Sequence, residues 1–200
     1  MSELIDGSGV LADRIAAVRA FLAAGTAQQD SAVELRVAAS VVHLGLVARV
    51  LSPVLALAVL HRRVGRVPAA DLLWQPTLGS MFPLSVRSAA LDGGDGFAEP
   101  ECVGEFGAAV ARFGVNEHIL RGNVASALAA AGRTLAEARP DRREDVRALI
   151  GGRLAGAGGF EPDGSFRRRS CCLIYRAAPD RRGGLCGDCA LAPVRGPMDS

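Results

Sequence analysis

Arg167-Arg168-Arg169-Ser170-Cys171-Cys172-Leu173-Ile174-Tyr175-Arg176 and, after a turn-forming run, Gly184-Leu185-Cys186-Gly187-Asp188-Cys189 together hold four of the chain's five cysteines. The four fall within 19 residues, in the pattern C-C-x13-C-x2-C. Four thiols on so short a segment can close around one metal centre without a ligand from elsewhere. Three readings compete: a disulfide pair, a structural zinc, or an iron–sulfur cluster.

Disulfides require an oxidising compartment. The opening Met1-Ser-Glu-Leu-Ile-Asp-Gly-Ser lacks the positive start and apolar centre of a secretory signal, and exported disulfide scaffolds are smaller and richer in cysteine. Structural zinc sites take two thiolates from each of two CxxC-like turns, because each turn aims both sulfurs at one point. Cys186-Gly187-Asp188-Cys189 fits that pattern, with Gly187 expected to give the turn room. The vicinal pair Cys171-Cys172 does not, since neighbouring side chains of an extended chain point to opposite faces. The backbone must bend there for both to ligate. A two-iron cluster is wider than one zinc ion and tolerates less uniform spacing. Tetrahedral sulfur sites belong to zinc or to iron–sulfur, and spacing alone leaves both open.

The motif resembles the C-terminal signature of the ferric-siderophore reductase (FhuF-like) family, in Cys171-Cys172-Leu-Ile-Tyr-Arg and in Gly184-Leu-Cys186-Gly-Asp-Cys189. Thirteen residues separate the pairs here, where the family has about ten. The additional ones fall among Pro179, Asp180, Arg181, Arg182, Gly183 and Gly184, which are turn formers. Weaker likeness extends to Ser52-Pro53-Val-Leu-Ala-Leu-Ala and Arg121-Gly-Asn123-Val-Ala-Ser-Ala-Leu. The resemblance implies a [2Fe–2S] cluster on Cys171, Cys172, Cys186 and Cys189, and reduction of the iron in imported ferric siderophores, hydroxamates favoured. It also implies an external electron donor such as a ferredoxin or flavin reductase.

Length and composition set the fold class. Two hundred residues, half of them apolar and 4% aromatic, suffice for one real core built from Ala, Leu and Val, which favours helices. The expectation is a mainly α-helical α+β protein: a helical domain over 1–159 and a cysteine-rich iron–sulfur segment over 160–200 packed on it. Every one of the 23 basic residues is arginine, yet the net charge is only +2, which argues against a nucleic-acid partner. The most apolar stretch, Ala38 to Leu60, contains His43, Arg49 and Pro53. It reads as two core helices meeting at Pro53 and not as an integral membrane segment. A cytoplasmic location follows by elimination, extending to the inner face of the membrane.

Helical spacing predicts a helix over Leu11–Ala24, closed by Gly25. A second runs from Ala32 to Leu51, with Ser31 and Glu34 as a capping box, and a third from Pro53 to about Arg63. Phe82–Ser88 alternates as a short strand, and Leu91–Pro100 is a loop. Helices follow over Glu101–Arg112, Asn116–Arg139 and Asp141–Leu154. Phe160-Glu-Pro-Asp-Gly-Ser-Phe166 suggests a hairpin leading into the cysteines.

Candidates outside the cysteines are few. Arg167, Arg168 and Arg169 can offset the negative charge of a cluster or meet an anionic substrate; a solvated arginine-rich loop is the plain alternative. His43 and His61 read as core or surface histidines, His118 as a neighbour of the helix cap Asn116, Cys102 as a passive thiol, and Trp74 as a core plug or a stacking surface. No catalytic triad, HExxH motif or strand-borne glycine loop is present in the sequence. Two rivals stand beside the reductase: a zinc-stapled scaffold without redox activity, and an iron–sulfur electron carrier for another acceptor.

Overall fold

The computed structural model describes residues 1–63, 65–77, 82–91 and 97–193. Five α-helices lie among them: α1 Val10–Ala24, α2 Leu35–His61, α3 Glu101–Ala111, α4 Glu117–Ala138 and α5 Arg143–Leu154. Two small antiparallel ribbons complete the fold: β1 Leu72–Trp74 with β2 Leu84–Val86, and β3 Gly158–Phe160 with β4 Phe166–Arg168. The protein is mainly helical α+β, as composition requires. Residues 92–96 of the expected loop lie outside the described residues.

Helix α2 is the axis of the molecule and packs chiefly on α4, then on α1 and α3. It is one continuous helix of 27 residues with Pro53 inside it, not two helices meeting at the proline. Pro53 sits on the exposed face, where the carbonyl freed by its missing N–H can turn to water. A proline inside a helix costs about 3 kcal/mol. Fully buried Val and Leu side chains contribute roughly 1.5–3 kcal/mol each. Val50, Leu51, Val54 and Leu55, all buried around the proline, therefore outweigh it. By length and hydropathy α2 could span a bilayer, and half of its most apolar window is buried inside the fold.

The expected capping box is absent. Asp30–Ala32 forms a 3-10 turn and α2 begins only after Glu34. The Glu34 carboxylate is taken by three arginines, Arg36 Nε at 2.8 Å, Arg176 Nη2 at 2.6 Å and Arg181 Nη2 at 3.8 Å. Asn116 does cap α4, its Oδ1 accepting from the Ile119 N–H at 3.0 Å. Strand β1 was not legible in advance, since three residues between Pro68 and Pro76 are too few to show a period. The ribbon β3–β4 and its Pro-Asp-Gly turn follow the sequence expectation, with Phe160 paired to Phe166.

The first helix binds to the same core through Leu11 and Ile15. The C-terminal segment packs on the helices at two places. Phe166 joins the main core, and Ala177 joins Ala23, Val33 and Val37 in a smaller one. Strand β4 lies against α4, which positions the cysteines that follow it.

Candidate metal centre

Strand β4 alternates in and out, as a period of two dictates. Phe166 and Arg168 are buried, Arg167 is half-buried and Arg169 is exposed. The three arginines therefore have three different fates. Arg167 donates from Nη2 to the carbonyls of Ala190 (3.1 Å) and Ala192 (2.5 Å), tying β4 to the residues just past Cys189. Arg169 faces solvent, and its backbone N–H bonds Ala157 O. Arg168 is 1% exposed and lies under the cysteine loop.

Beyond Ser170 the chain turns sharply. Leu173 has φ 71°, a left-handed conformation uncommon for leucine, and a 3-10 turn over Ile174–Ala177 follows. This is the bend that a vicinal pair needs. It brings the Leu173 N–H to Cys171 Sγ at 3.3 Å. The longer connection then folds back, with the Gly183 N–H on Tyr175 O at 2.9 Å. A side chain at Gly183 would press on that carbonyl, 2.8 Å away. Arg176, held by Glu34, staples this turn to the start of α2.

The second pair closes with the Cys189 N–H on Cys186 O at 3.2 Å and the Leu191 N–H on Cys189 Sγ at 3.3 Å. Gly187 plays no steric part in that turn: a side chain there would meet nothing within 4 Å, and its φ is not positive. Asp188 accepts a hydrogen bond from Ser126 Oγ of α4, and its own carbonyl accepts from the Arg168 N–H at 3.0 Å.

All five cysteines are free thiols. Cys172 and Cys186 stand 3.3 Å apart, sulfur to sulfur. The hydrogen bond from Cys186 lowers the Cys172 pKa to about 6, assisted by the Ile174 N–H and the Arg168 charge. The same hydrogen bond and burial push Cys186 far up, because a second thiolate so near the first is disfavoured. Burial raises Cys171, and the neighbouring Cys172 and Cys189 add to the effect. Without a cation, full ionisation of Cys171, Cys172 and Cys186 together is disfavoured. Among the described residues no three His, Cys, Asp or Glu side chains are grouped so as to hold a metal ion.

Beneath the sulfurs lies a buried polar network. Arg168 Nη2 donates to Asn123 Oδ1 at 2.6 Å and, more weakly, to Ile119 O at 3.4 Å. The Asn123 amide donates to Ser40 O at 3.0 Å and sits 3.4 Å from His43 Nδ1. Ser40 Oγ donates to Cys172 O at 3.0 Å. Arg168 Nε, Arg168 Nη1 and Ser170 Oγ are buried with no partner, and no described carboxylate pairs with Arg168. Such orphaned donors are costly unless an acceptor meets them. With the Arg168 charge bearing on Cys171 and Cys172, they fit an anionic group at those sulfurs. Gly122 of α4 makes room for this arrangement, since a side chain there would lie 2.8 Å from Arg168 Nη2.

Sequence reasoning singled out the cysteines and the three arginines together but did not separate Arg168 from its neighbours. The spacing Phe166-x-Arg168 was the signal. It also missed Ser40 and Asn123, which lie on the buried faces of α2 and α4; Asn123 is four residues after the buried Ile119, on the same face. His43 is buried in the network, and His61 and His118 are exposed. Burial, with Glu105 nearby, pushes Cys102 up to about 12, so it stays a protonated core thiol. Trp74 packs edge-on against Phe82, with its indole N–H on Glu3.

No family model, curated protein or solved structure matches this chain.

Proposed function

We propose that this protein is a ferric-siderophore reductase, with Cys171, Cys172, Cys186 and Cys189 holding a [2Fe–2S] cluster. The observation that carries the reading is Arg168: a buried cation with two unpartnered nitrogens, whose charge bears on Cys171 and Cys172. The cluster, when bound, supplies one electron to chelated Fe(III), which leaves iron as Fe(II) in a weakened oxygen chelate. The electron comes from an external carrier, a ferredoxin or flavin reductase.

The residues of this chain do the rest. Arg168 offsets the negative charge on the thiolates, and positive charge and hydrogen bonds near sulfur favour the reduced form. Asn123 holds the guanidinium in place from α4, and Gly122 leaves room for it. The N–H groups of Leu173, Ile174 and Leu191 aim at the sulfurs of Cys171, Cys172 and Cys189, which orients the thiolates as outer-shell partners do at metal sites.

The reading is tested by reconstituting the full chain with iron and sulfide under anaerobic conditions, reducing it, and mixing it with a ferric trihydroxamate. Fe(II) captured by a chromophoric chelator should appear at a rate set by protein concentration. A protein that takes up and releases one electron reversibly, yet speeds iron release from no ferric chelate, is an electron carrier for another acceptor.

A further inference from the structure

A cavity of about 320 Å³ lies between α3 and α4, near the lower end of the range for small-molecule sites. Its α3 wall is Gly104, Gly107 and Ala108, whose spacing of three and four puts them on one face. Its α4 wall carries Leu120, Val124 and Leu128, again at helical spacing. The missing side chains of α3 leave the room: one added at Gly104 would meet nothing within 4 Å. The one buried polar group among the lining residues is the imidazole of His43, which is 1% exposed.

The hydrogen bonds around His43 fix where its proton lies. A guanidinium can only donate, and Arg168 Nη2 donates to Asn123 Oδ1 at 2.6 Å. That orients the Asn123 amide, whose nitrogen donates to Ser40 O at 3.0 Å and faces His43 Nδ1 at 3.4 Å. Nδ1 is thereby an acceptor, and the single proton of the neutral ring sits on Nε2. Burial keeps the ring neutral at physiological pH, its pKa lowered to about 4. Nε2 is buried, and no described group accepts from it. It lies 3.8 Å from where a side-chain carbon of Gly107 would stand, so the N–H is aimed at the cavity. A buried donor without an acceptor is costly.

The charges at the rim already have partners. Arg153 donates to Leu149 O and Phe97 O and lies over the Phe97 ring at 4.8 Å. Arg121 pairs with Glu117, one turn back on α4. Neither arginine is free to hold an anion, and Glu99 on the same rim would oppose one. The glycine face is flat and the facing wall is branched and apolar, a slot suited to a planar ring. We infer that this cavity binds a small uncharged compound with an apolar ring body and a carbonyl oxygen, the oxygen accepting from His43 Nε2 and the ring lying along Leu120, Val124 and Leu128. The inference goes beyond the reductase reading and requires no cluster.

The test is made on full-length protein isotopically labelled at its histidine nitrogens. It is titrated with 1-indanone, a bicycle with only an acceptor, and with indole, a bicycle of similar size with only an N–H donor. Long-range proton–nitrogen correlation spectra should show His43 protonated at Nε2 alone, its signals identified by their loss in His43→Gln. 1-Indanone should bind saturably and move the Nε2 resonance. Indole, which leaves Nε2 without an acceptor, should bind about fivefold more weakly. Indane-1-carboxylate, which adds a charge, should also bind more weakly than the ketone. Gly107→Leu fills the cavity at ordinary contact distance from His43 and should weaken 1-indanone by about tenfold or more through steric exclusion. Gly104→Leu should do the same from one turn away. Both variants should be at least as stable as the parent in urea, because leucine is the better helix former. A proton on Nδ1, no saturable binding of 1-indanone by the parent, or equal or tighter binding of indole or the carboxylate would each overturn the site. So would undiminished 1-indanone binding in glycine variants that unfold like the parent.

Discussion

Arg168 donates to Asn123 Oδ1 at 2.6 Å, so a fully buried guanidinium is held by an amide and by no described carboxylate. An amide positions a cation without neutralising it. Removing one partner of a buried ion pair is strongly destabilising because a charge is left uncompensated, and in the metal-free chain Arg168 is already in that state. The sulfurs its charge reaches are those of Cys171 and Cys172.

Replacing it should therefore have opposite effects on the two forms. Arg168→Met should leave the cluster-free protein as stable as the parent or more so in urea denaturation. In the loaded protein it should lower the midpoint potential. A hydrogen bond to a charged group contributes roughly 1.5–3 kcal/mol, and 1.4 kcal/mol is about 59 mV for one electron. Only the difference between redox states counts, so a shift on the order of tens of millivolts is expected. Arg169→Met, at an exposed position, should shift the potential much less. Equal shifts at both positions would mean that Arg168 has no special place.

Gly122→Ala sets helix propensity against space. In an open helix the change stabilises by about 1 kcal/mol. Here the added carbon would press on Arg168 Nη2 and Ser170 Oγ, and both are buried. The substitution should destabilise the protein and disturb the visible spectrum of the loaded form. A gain in thermal stability with an unchanged spectrum would show that α4 and the loop are not in close contact.

The C-terminal pattern C-C-x13-C-x2-C and the helical class were legible because cysteine spacing and apolar periodicity are local properties. Helix α2 was misread at Pro53, because a local breaker was weighed without knowing that Val50, Leu51, Val54 and Leu55 would all be buried. The capping box at Ser31 and Glu34 failed for a similar reason. Glu34 found a partner in Arg176, 142 residues away. The network of Ser40, Asn123 and Arg168 joins three elements distant in sequence. Only their assembly distinguishes Arg168 from Arg167 and Arg169.

His43 gives the protein a pH dependence. Burial, with the Arg168 charge behind it, lowers its pKa from the ordinary 6.5 to about 4. Glu99 just before α3, Glu117 and Arg121 of α4 and Arg153 of α5 share its cavity. The folded state binds the proton more weakly than the unfolded chain, so the contribution is full above 6.5 and is lost as pH falls toward 4. Between pH 7.5 and 5 it should fall by about 2 kcal/mol. The stability difference between the parent and His43→Gln, from urea denaturation at several pH values, should shrink by that amount. A difference independent of pH would mean that His43 is as easily protonated in the fold as outside it. Glu99, raised by burial, titrates in both proteins and cancels from the comparison.

Glu34→Gln removes the staple between α2 and the turn after Cys172. The pair is only partly screened, with side chains 25% and 20% exposed, and such a pair contributes under about 1 kcal/mol. Global stability should change little. The loop it restrains should open more often, so cluster loss to a chelator should be faster than in the parent. An unchanged loss rate would show that the turn is held by Gly183 and Ala177 without help from Arg176.

The most direct measurement is the visible absorption spectrum of anaerobically purified protein, with iron, sulfide and zinc quantified in the same sample. The account predicts a red-brown protein with two irons and two sulfides per chain that bleaches on reduction. A colourless protein holding zinc, still colourless after anaerobic reconstitution with iron and sulfide, would contradict it and make the loop from Cys171 to Cys189 a structural zinc staple.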